Sequence, residues 1–166
     1  MDTIYFAKMK EDVIIPTKRE EDGGYDIYAN FPQESMLIKP HETVMIPTKL
    51  KSAFDKKYRV ILKERGSTGS KGIGQRCGVI DSGYRGEWFV PITNTTNKPI
   101  AIIKEERRKI VEMVMGDELT IYPYEKAICQ ALLDDVPVVK VEEITEEELM
   151  AMESERGTGK IGSSNK

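Results

Sequence analysis

Short apolar segments, each ended within a few residues by glycine, proline, asparagine or aspartate, most strongly constrain how this chain folds. Each segment has the length of a β-strand, and the short gaps leave room for turns rather than for connecting helices. Many short strands at this spacing are typical of an all-β barrel or jelly roll. The segments predicted as strands are TIYFAKM, YDIYA, SMLIK, TVMIPTKL, YRVILK, GVID, WFVPITN, PIAIIK, ELTIY, AICQALL and PVVKVEEI.

A short helix is predicted near the C-terminus, outside this β pattern. Thr145 is a suitable N-cap, Glu148 stands at the capping-box position, and Leu149 and Met152 share one face. The charged stretch KEERRKIVEMVMG, residues 104–116, fits either a helix or an extension of a hairpin.

The end of the chain, residues 155–166, differs in composition from the rest. Its sequence ERGTGKIGSSNK is rich in small residues and poor in core-forming ones, so it predicts a flexible C-terminal segment. The preceding residues, 1–154, are enough for one domain with its own hydrophobic core.

Charge and cysteine content narrow the function. The net charge of −3 argues against a protein dedicated to duplex nucleic acid, which usually carries a basic excess. We expect no membrane span, because no apolar run approaches about 18 residues, and the N-terminus lacks a signal-peptide core. The cysteines are Cys77 and Cys129, so no disulfide framework is expected and a cytoplasmic location is predicted.

Three glycine-rich segments carry side chains suited to chemistry, and each has a plainer interpretation. Residues 65–72, RGSTGSKG, combine Arg65 with backbone N–H groups that suit phosphate oxygens, but such segments are also common solvated turns. In CGVIDSGYRGEW, Asp81 follows an apolar run, a position that suits a general base, and Tyr84 offers a flat face to a sugar. The plainer interpretation of this stretch is an ordinary β-turn. Arg156, among glycines, suits a lid over a phosphate or a disordered chain end.

The order of five segments resembles the five motifs of the trimeric dUTP diphosphatase (dUTPase) family. The resemblance implies a distorted jelly-roll β-barrel, a homotrimer whose active sites are shared between chains, and hydrolysis of dUTP to dUMP and pyrophosphate with Mg²⁺. The matching segments are GGYDIYA (23–29), RGSTGSKGI (65–73), GVIDSGYRGEW (78–88), AICQALL (127–133) and RGTGKIGSS (156–164).

The third motif is implied to carry the chemistry and to read the nucleoside. By the resemblance, Asp81 orients and deprotonates the water that attacks the α-phosphorus. Tyr84 would pack against the deoxyribose, where a 2′-hydroxyl would clash. Backbone donors near the base would reject cytosine, which presents a donor where uracil has O4. The other positions implied to face the base are Gln75, Val79, Ile80 and Phe89.

A second group of motifs is implied to bind the triphosphate. Arg65, with Gly66 and Ser67, matches the phosphate-binding motif, although the family usually has serine directly after the arginine. Gln130 matches the glutamine of the fourth motif, and Asp26 matches the acid that orders waters near the metal. The phosphates hold Mg²⁺ in this family, so no direct protein ligand to the metal is expected.

The fifth motif is implied to close over the substrate. Arg156 resembles the arginine that clamps the γ-phosphate, and Gly162 and Ser163 would add backbone and hydroxyl donors. Ile161 stands where the family usually has an aromatic residue that stacks on uracil. We therefore expect apolar cover without ring stacking, and weaker closure.

Residues 104–122 are a surplus relative to compact family members, and longer members with inserts here are often phage-borne. Their apolar stripe predicts either packing against the chain's own barrel or contact with a protein partner. The stripe consists of Ile110, Val111, Met113 and Val114.

Two other functions are alternatives to dUTP hydrolysis for a sequence of this kind. The dCTP deaminases share a signature around GVIDxG but have a catalytic glutamate ten residues after the aspartate, where this chain has Pro91. A regulatory protein would use the nucleotide as a signal and the insert as its contact surface. Pro91 disfavours the first, and the presence of Asp81, Tyr84 and Arg156 disfavours a site without catalysis.

Overall fold

Strands make up most of the regular structure of this computed structural model, which describes residues 2–76 and 78–159. The prediction of an all-β domain is confirmed. The strands are β1 (Tyr5–Lys8), β2 (Tyr25–Ile27), β3 (Ser35–Ile38), β4 (Thr43–Pro47), β5 (Leu50–Ala53), β6 (Tyr58–Lys63), β7 (Ile73–Gln75), β8 (Val79–Asp81), β9 (Phe89–Asn94), β10 (Ile100–Ile103), β11 (Thr120–Pro123) and β12 (Cys129–Asp135).

The described strands pair into four sheets rather than one continuous barrel wall. Their orders are β1-β5, β4-β9-β7, β11-β10-β3 and β2-β12-β6-β8. The sheet β2-β12-β6-β8 is antiparallel throughout. It carries five of the predicted site residues, namely Asp26 on β2, Gln130 on β12, and Val79, Ile80 and Asp81 on β8.

A core of branched aliphatic side chains supports these sheets. Strand β10 is buried along its whole length, and β9 is buried from Val90 to Asn94. Trp88 is fully buried, its Nε1 donates to Ser52 Oγ at 3.1 Å, and the ring of Phe6 meets it edge-on. Because close-packed cores resist displacement, the strand ends beside Trp88 have well-defined positions.

The surplus segment is a helix, which excludes the hairpin interpretation. Strands β10 and β11 pair in parallel, and parallel neighbours need a crossover connection rather than a tight turn. Helix α2 (Glu105–Met115) and a short 3₁₀ helix (Gly116–Glu118) form that crossover. No residue of α2 is buried.

Three local expectations need correction. TVMIPTKL is two strands, because Lys49 has a positive φ of 57° that turns the chain between β4 and β5. RGSTGSKG contains a single helical turn, α1 (Gly66–Gly69), and the unpredicted segment IGQ forms β7.

The predicted strand PVVKVEEI is wrong. Residues 137–144 form no strand and belong to a second compact unit, Pro137–Lys166, separate from the unit Met1–Val136. Val138 is 99% exposed, and an apolar β pattern without a partner strand in its own chain does not form a sheet.

Helix α3 (Glu146–Ala151) lies in this second unit and is the helix that the sequence predicts. Thr145 caps it, with Oγ1 accepting from the Glu148 N–H at 3.1 Å and the Glu148 carboxylate accepting from the Thr145 N–H at 2.8 Å. The described residues thus contain three α-helices and one 3₁₀ helix, where the sequence predicted one helix and left residues 104–116 open between a helix and a hairpin extension. None of them is long and apolar enough to span a membrane.

Candidate active site

One cleft of about 670 Å³ brings together the residues of the first, second and fourth motifs. We call it the Arg65 cleft. Strand register creates it: Gln130 on β12 lies opposite Asp26 on β2 and opposite Lys63 on β6. Arg65 follows Lys63 by two residues, so its side chain reaches the same end of the sheet. The predicted residues that line the cleft are Asp26, Arg65, Gly66, Ser67 and Gln130.

Arg65 is fixed from both its side chain and its backbone. The Nε atom of Arg65 lies 3.0 Å from Asp26 Oδ1, and both side chains are about one-third exposed. The Thr68 hydroxyl accepts from the Arg65 N–H and donates to the Arg65 carbonyl, each at 3.0 Å. The guanidinium therefore faces the cleft in a defined position, with N–H donors for phosphate oxygens.

Gln130 is held at the floor of the cleft by close packing. Its Nε2 donates to the Glu64 carbonyl at 2.8 Å. A Cβ on Gly24 would lie 2.7 Å from Gln130 Oε1, so only glycine fits there without displacing the amide. This contact explains part of the first motif, GGYDIYA, because its second glycine has no side chain and lets the backbone pack directly against Gln130.

Sequence reasoning missed the loop that completes the cleft wall. Lys18, Arg19 and Asp22 line the cleft, and Arg19 makes two hydrogen bonds to the Asp22 carboxylate at 2.8 and 2.9 Å. These bonds lower the pKa of Asp22 and raise that of Arg19. The segment TKREEDGG carries the signal, because it places opposite charges directly before the first motif.

A second, smaller cavity of about 240 Å³ lies on the third motif. We call it the Asp81 pocket. Val79 and Phe89 present exposed apolar surface there, and the Asp81 side chain is exposed at the end of β8. Its lining residues are Met45, Val79, Ile80, Asp81, Tyr84, Glu87, Trp88 and Phe89. The structure thus groups Asp81, Tyr84, Val79, Ile80 and Phe89 as the sequence predicts.

Tyr84 is folded back on its own turn. Its N–H donates to the Asp81 carbonyl at 3.0 Å, and its hydroxyl donates to the Glu87 carbonyl at 3.0 Å. A Cβ on Gly86 would lie 2.3 Å from Tyr84 Oη, so the tyrosine covers the bare backbone of Gly86. The ring is 46% exposed beside Asp81, where it offers a flat face to a ligand.

The Arg65 cleft and the Asp81 pocket lie toward opposite ends of β6. Asp81 pairs with Arg59, whereas Gln130 pairs with Lys63. Four residues of strand span about 13 Å, and the two flanking strands are about 10 Å apart. Arg59 itself turns away from Asp81 to form an ion pair with Asp134 at 2.7 Å.

The remaining predicted residues lie outside both cavities. Gln75, on β7, donates its N–H to Glu64 Oε1, and its buried Nε2 has no hydrogen-bond partner in the described part of the chain. Arg156 lies in the second unit, where its Nε donates to the Gly159 carbonyl at 3.0 Å. Ile161, Gly162 and Ser163 lie outside the described residues.

The cleft has oxygen donors but no preformed cage for a metal ion. Among residues 2–76 and 78–159, no group of three or more His, Cys, Asp or Glu side chains could hold a metal ion. The carboxylates of Asp22 and Asp26 both line the cleft. Oxygen donors of this kind suit a hydrated Mg²⁺ that keeps several waters and binds mainly to phosphates.

The model of the dUTPase family matches residues 10–126. The chain belongs to the dUTPase family. The match spans the first three motifs and ends just before the fourth. It confirms the family predicted from the sequence.

Individual relatives of the dUTPase family agree with this assignment. The deoxyuridine 5′-triphosphate nucleotidohydrolase of Nautilia profundicola is 33% identical over 163 residues, which cover 96% of each chain. The Pol polyprotein of caprine arthritis encephalitis virus is 33% identical over 115 residues, 69% of this chain, and the chain spans 10% of the polyprotein.

A solved dUTPase has the same fold. The dUTPase of Staphylococcus bacteriophage 80alpha with dUPNHPP has a TM-score of 0.71 and 21% identity, with 97% of each chain covered. That phage dUTPase is one of those described as controlling the transfer of virulence genes. The likeness confirms the jelly-roll dUTPase fold.

Proposed function

We propose that this chain hydrolyses dUTP by dividing the work between the two cavities, with each active site assembled from more than one copy. The enzyme class and substrate are confirmed predictions. The chain is a dUTP diphosphatase that converts dUTP to dUMP, as its family and its full-length bacterial relative indicate. The residue roles, the metal and the assembly are our proposal.

Asp81 is the catalytic residue in this scheme. Its exposed carboxylate lies at the rim of an apolar pocket, where it accepts a proton from the water that attacks the α-phosphorus. Val79, Ile80 and Phe89 contact the uracil, and Tyr84 packs on the deoxyribose. Hydrogen bonds hold Tyr84 at both ends of its turn. The 2′-hydroxyl of a ribose would therefore clash with a ring that cannot shift.

The Arg65 cleft binds the triphosphate. Arg65, held by Asp26, donates to phosphate oxygens, and Ser67 and Gln130 add polar groups beside it. Mg²⁺ neutralises the phosphates when it is bound. Asp26 orders the waters around the ion, and Arg156, Ile161, Gly162 and Ser163 close over the substrate from the tail.

The separation of the two cavities within one copy is the observation that supports a shared active site. Asp81 acts at the α-phosphorus, and the groups of the Arg65 cleft bind the same chain of phosphates. In one copy these groups lie toward opposite ends of β6, about 13 Å apart along the strand and two strands apart across the sheet. A second copy must therefore bring its Arg65 cleft to the first copy's Asp81 pocket.

Exposed valines near the C-terminus add support for assembly. Val138, Val139 and Val141 are between 71% and 99% exposed in a segment with no partner strand. Apolar side chains at this density usually mark a contact with another chain. We propose the homotrimer typical of the dUTPase family, located in the cytoplasm as the two-cysteine composition suggests.

Two assays test the proposal. Purified protein with Mg²⁺ is given dUTP, dCTP, dTTP or UTP, and pyrophosphate is measured; we expect release from dUTP and little from the others. The deaminase alternative requires ammonia from dCTP, and Pro91, buried in β9, offers no carboxylate for it. An enzyme that releases no pyrophosphate from dUTP would refute the proposal.

The shared site is tested by mixing two impaired variants, assayed at a dUTP concentration at which each variant alone gives little turnover. Asp81→Asn and Arg65→Ala are each purified, unfolded together and refolded. If each active site is shared between chains, some of the mixed sites contain both native residues, and turnover increases. If each site lies within a single chain, mixing does not restore turnover. Light scattering of the wild type then distinguishes a particle near three times 18.8 kDa from a single chain.

A regulatory contact through residues 104–122 is the second candidate function. Ile110, Met113 and Val114 of α2 are 57%, 85% and 74% exposed, which favours a protein partner over packing on the domain itself. The double variant M113E/V114E should keep dUTP turnover and lose any partner that the wild type retains. A partner that binds both proteins equally would exclude this surface.

A further inference from the structure

Glu87 is a nearly buried carboxylate held by a residue far away in the sequence. Its side chain is 10% exposed, and Lys49 makes two hydrogen bonds to it. The Lys49 N–H donates to Glu87 Oε1 at 3.1 Å, and Lys49 Nζ donates to Oε2 at 3.0 Å. A carboxylate with so little contact with solvent needs hydrogen-bond partners of this kind to be stable there.

The backbone at Lys49 is strained to make this contact. Its φ of 57° lies in the left-handed region, which disfavours residues with a Cβ. A lysine persists in such a conformation only when its surroundings hold it there. The two hydrogen bonds to Glu87, together with the one from the Met9 N–H to the Lys49 carbonyl at 2.9 Å, provide this restraint.

A chain of contacts leads from Glu87 to Tyr84. The Glu87 carbonyl accepts the Tyr84 hydroxyl, and Gly86 between them lies under the ring. The next residue, Trp88, is fixed to the same neighbouring strand: its N–H donates to the Leu50 carbonyl at 2.9 Å, and its carbonyl accepts from Thr48 Oγ1 at 2.7 Å. The turn that carries Tyr84 is therefore anchored on residues 48–50.

We infer that Lys49 and Glu87 are positioning residues that fix the Tyr84 ring and thereby set the preference for deoxyribose over ribose. The inference rests on the proposed packing of Tyr84 against the sugar. To exclude a single hydroxyl group, the ring must be held rigidly, because a shift smaller than the hydroxyl group itself would make room for it. The Lys49–Glu87 pair supplies that rigidity by tying the third motif, through Glu87, to Lys49, which lies outside the motif.

Matched variants separate this role from a general loss of stability. Lys49→Met keeps the length and the strained backbone but removes the charge, whereas Lys49→Arg keeps the charge. Glu87→Gln removes the charge from the other side. Lys57→Ala, which breaks the exposed ion pair with Asp2, is a control at a distant site.

The first readout is the ratio of kcat/KM for dUTP to that for UTP. We expect the ratio to fall about tenfold in Lys49→Met and Glu87→Gln, with kcat for dUTP less affected than the ratio. Lys49→Arg and Lys57→Ala should retain the wild-type ratio. An unchanged ratio in both charge-removing variants overturns the inference.

Hydrogen–deuterium exchange of residues 84–88 is a second readout that does not depend on turnover. Exchange should be faster in Lys49→Met and Glu87→Gln than in Lys49→Arg, in protein that shows a cooperative thermal transition. Equal exchange in all variants overturns the inference as well. A wild-type protein without dUTP turnover would instead refute the proposed function and leave the exchange comparison standing.

Discussion

The Arg65 cleft is lined by charged and polar groups from three separate parts of the chain, whereas the Asp81 pocket is lined mainly by apolar side chains of one continuous segment, residues 79–89. In the cleft, Asp26 balances Arg65 and Asp22 balances Arg19. In the pocket, a single exposed carboxylate borders an apolar surface. In the proposed function, the cleft recognises charge, while the pocket recognises shape and performs the chemistry.

The comparison predicts the largest effect at Asp81. Asp81→Asn keeps the size of the side chain but removes the base, so kcat should fall by about a thousandfold. Binding of a non-hydrolysable dUTP analogue, measured by calorimetry, should change little because the apolar pocket is intact. An active Asp81→Asn enzyme would assign the base to another residue.

Loss of Arg65 should weaken binding instead. Arg65→Ala removes a charge-assisted contact to phosphate and leaves Asp26 unpaired beside the triphosphate, so the affinity for the dUTP analogue should fall about 30-fold. Arg107→Ala, which breaks only an exposed ion pair on α2, is the control. Equal affinity of both variants would place the phosphates elsewhere.

A methyl group at Gly86 tests whether the pocket depends on shape. Gly86→Ala places Cβ 2.3 Å from Tyr84 Oη and must displace the ring, so KM for dUTP should rise about tenfold. Gly83→Ala adds the same methyl group to the same turn, where nothing lies within 4 Å. Steady-state kinetics that do not distinguish these two variants would argue against a fixed Tyr84.

The cleft, in contrast, should accept an added side chain. A Cβ on Gly66 meets nothing within 4 Å, so Gly66→Ser fits without strain and places a hydroxyl where the family usually has one. We expect kcat to rise about threefold, the effect of one added hydrogen bond to the transition state. A rate below that of wild type would show that Ser67 already supplies the hydroxyl.

The smallest expected effect is the response of the cleft loop to acid. Hydrogen bonds from Arg19 hold the pKa of Asp22 below its ordinary value, so the pair is present at neutral pH. Its contribution to stability is complete above the unfolded pKa of about 3.9 and is lost as the pH falls through the lower folded pKa. NMR titration of the Asp22 carboxyl carbon measures this directly, and Arg19→Ala should return the pKa of Asp22 toward its ordinary value.

Sequence patterns predicted the pocket better than the cleft. The pocket residues from Val79 to Phe89 are contiguous, and apolar runs on either side of a turn signal are enough to bring them together around one turn, although β8 and β9 pair with different strands. The loop with Lys18, Arg19 and Asp22 was missed, because its part in the cleft depends on how β2 lies against β12. Likewise, α1 was missed because a glycine-rich stretch predicts a turn, and Thr68 stabilises the helical turn through contacts with Arg65.

The sequence by itself determined which chemical groups are present: Asp81 and Tyr84 in the third motif, Arg65 in the second, and a β-rich chain to carry them. Only the tertiary structure decided that Asp26, Arg65 and Gln130 meet at one end of β6, that Asp81 lies toward the other, and that Lys49 holds Glu87 across 38 residues. The physical reason is strand register. Pairing in a sheet is non-local, and a shift by one residue would send the strand residues Asp26, Gln130 and Asp81 to the opposite face.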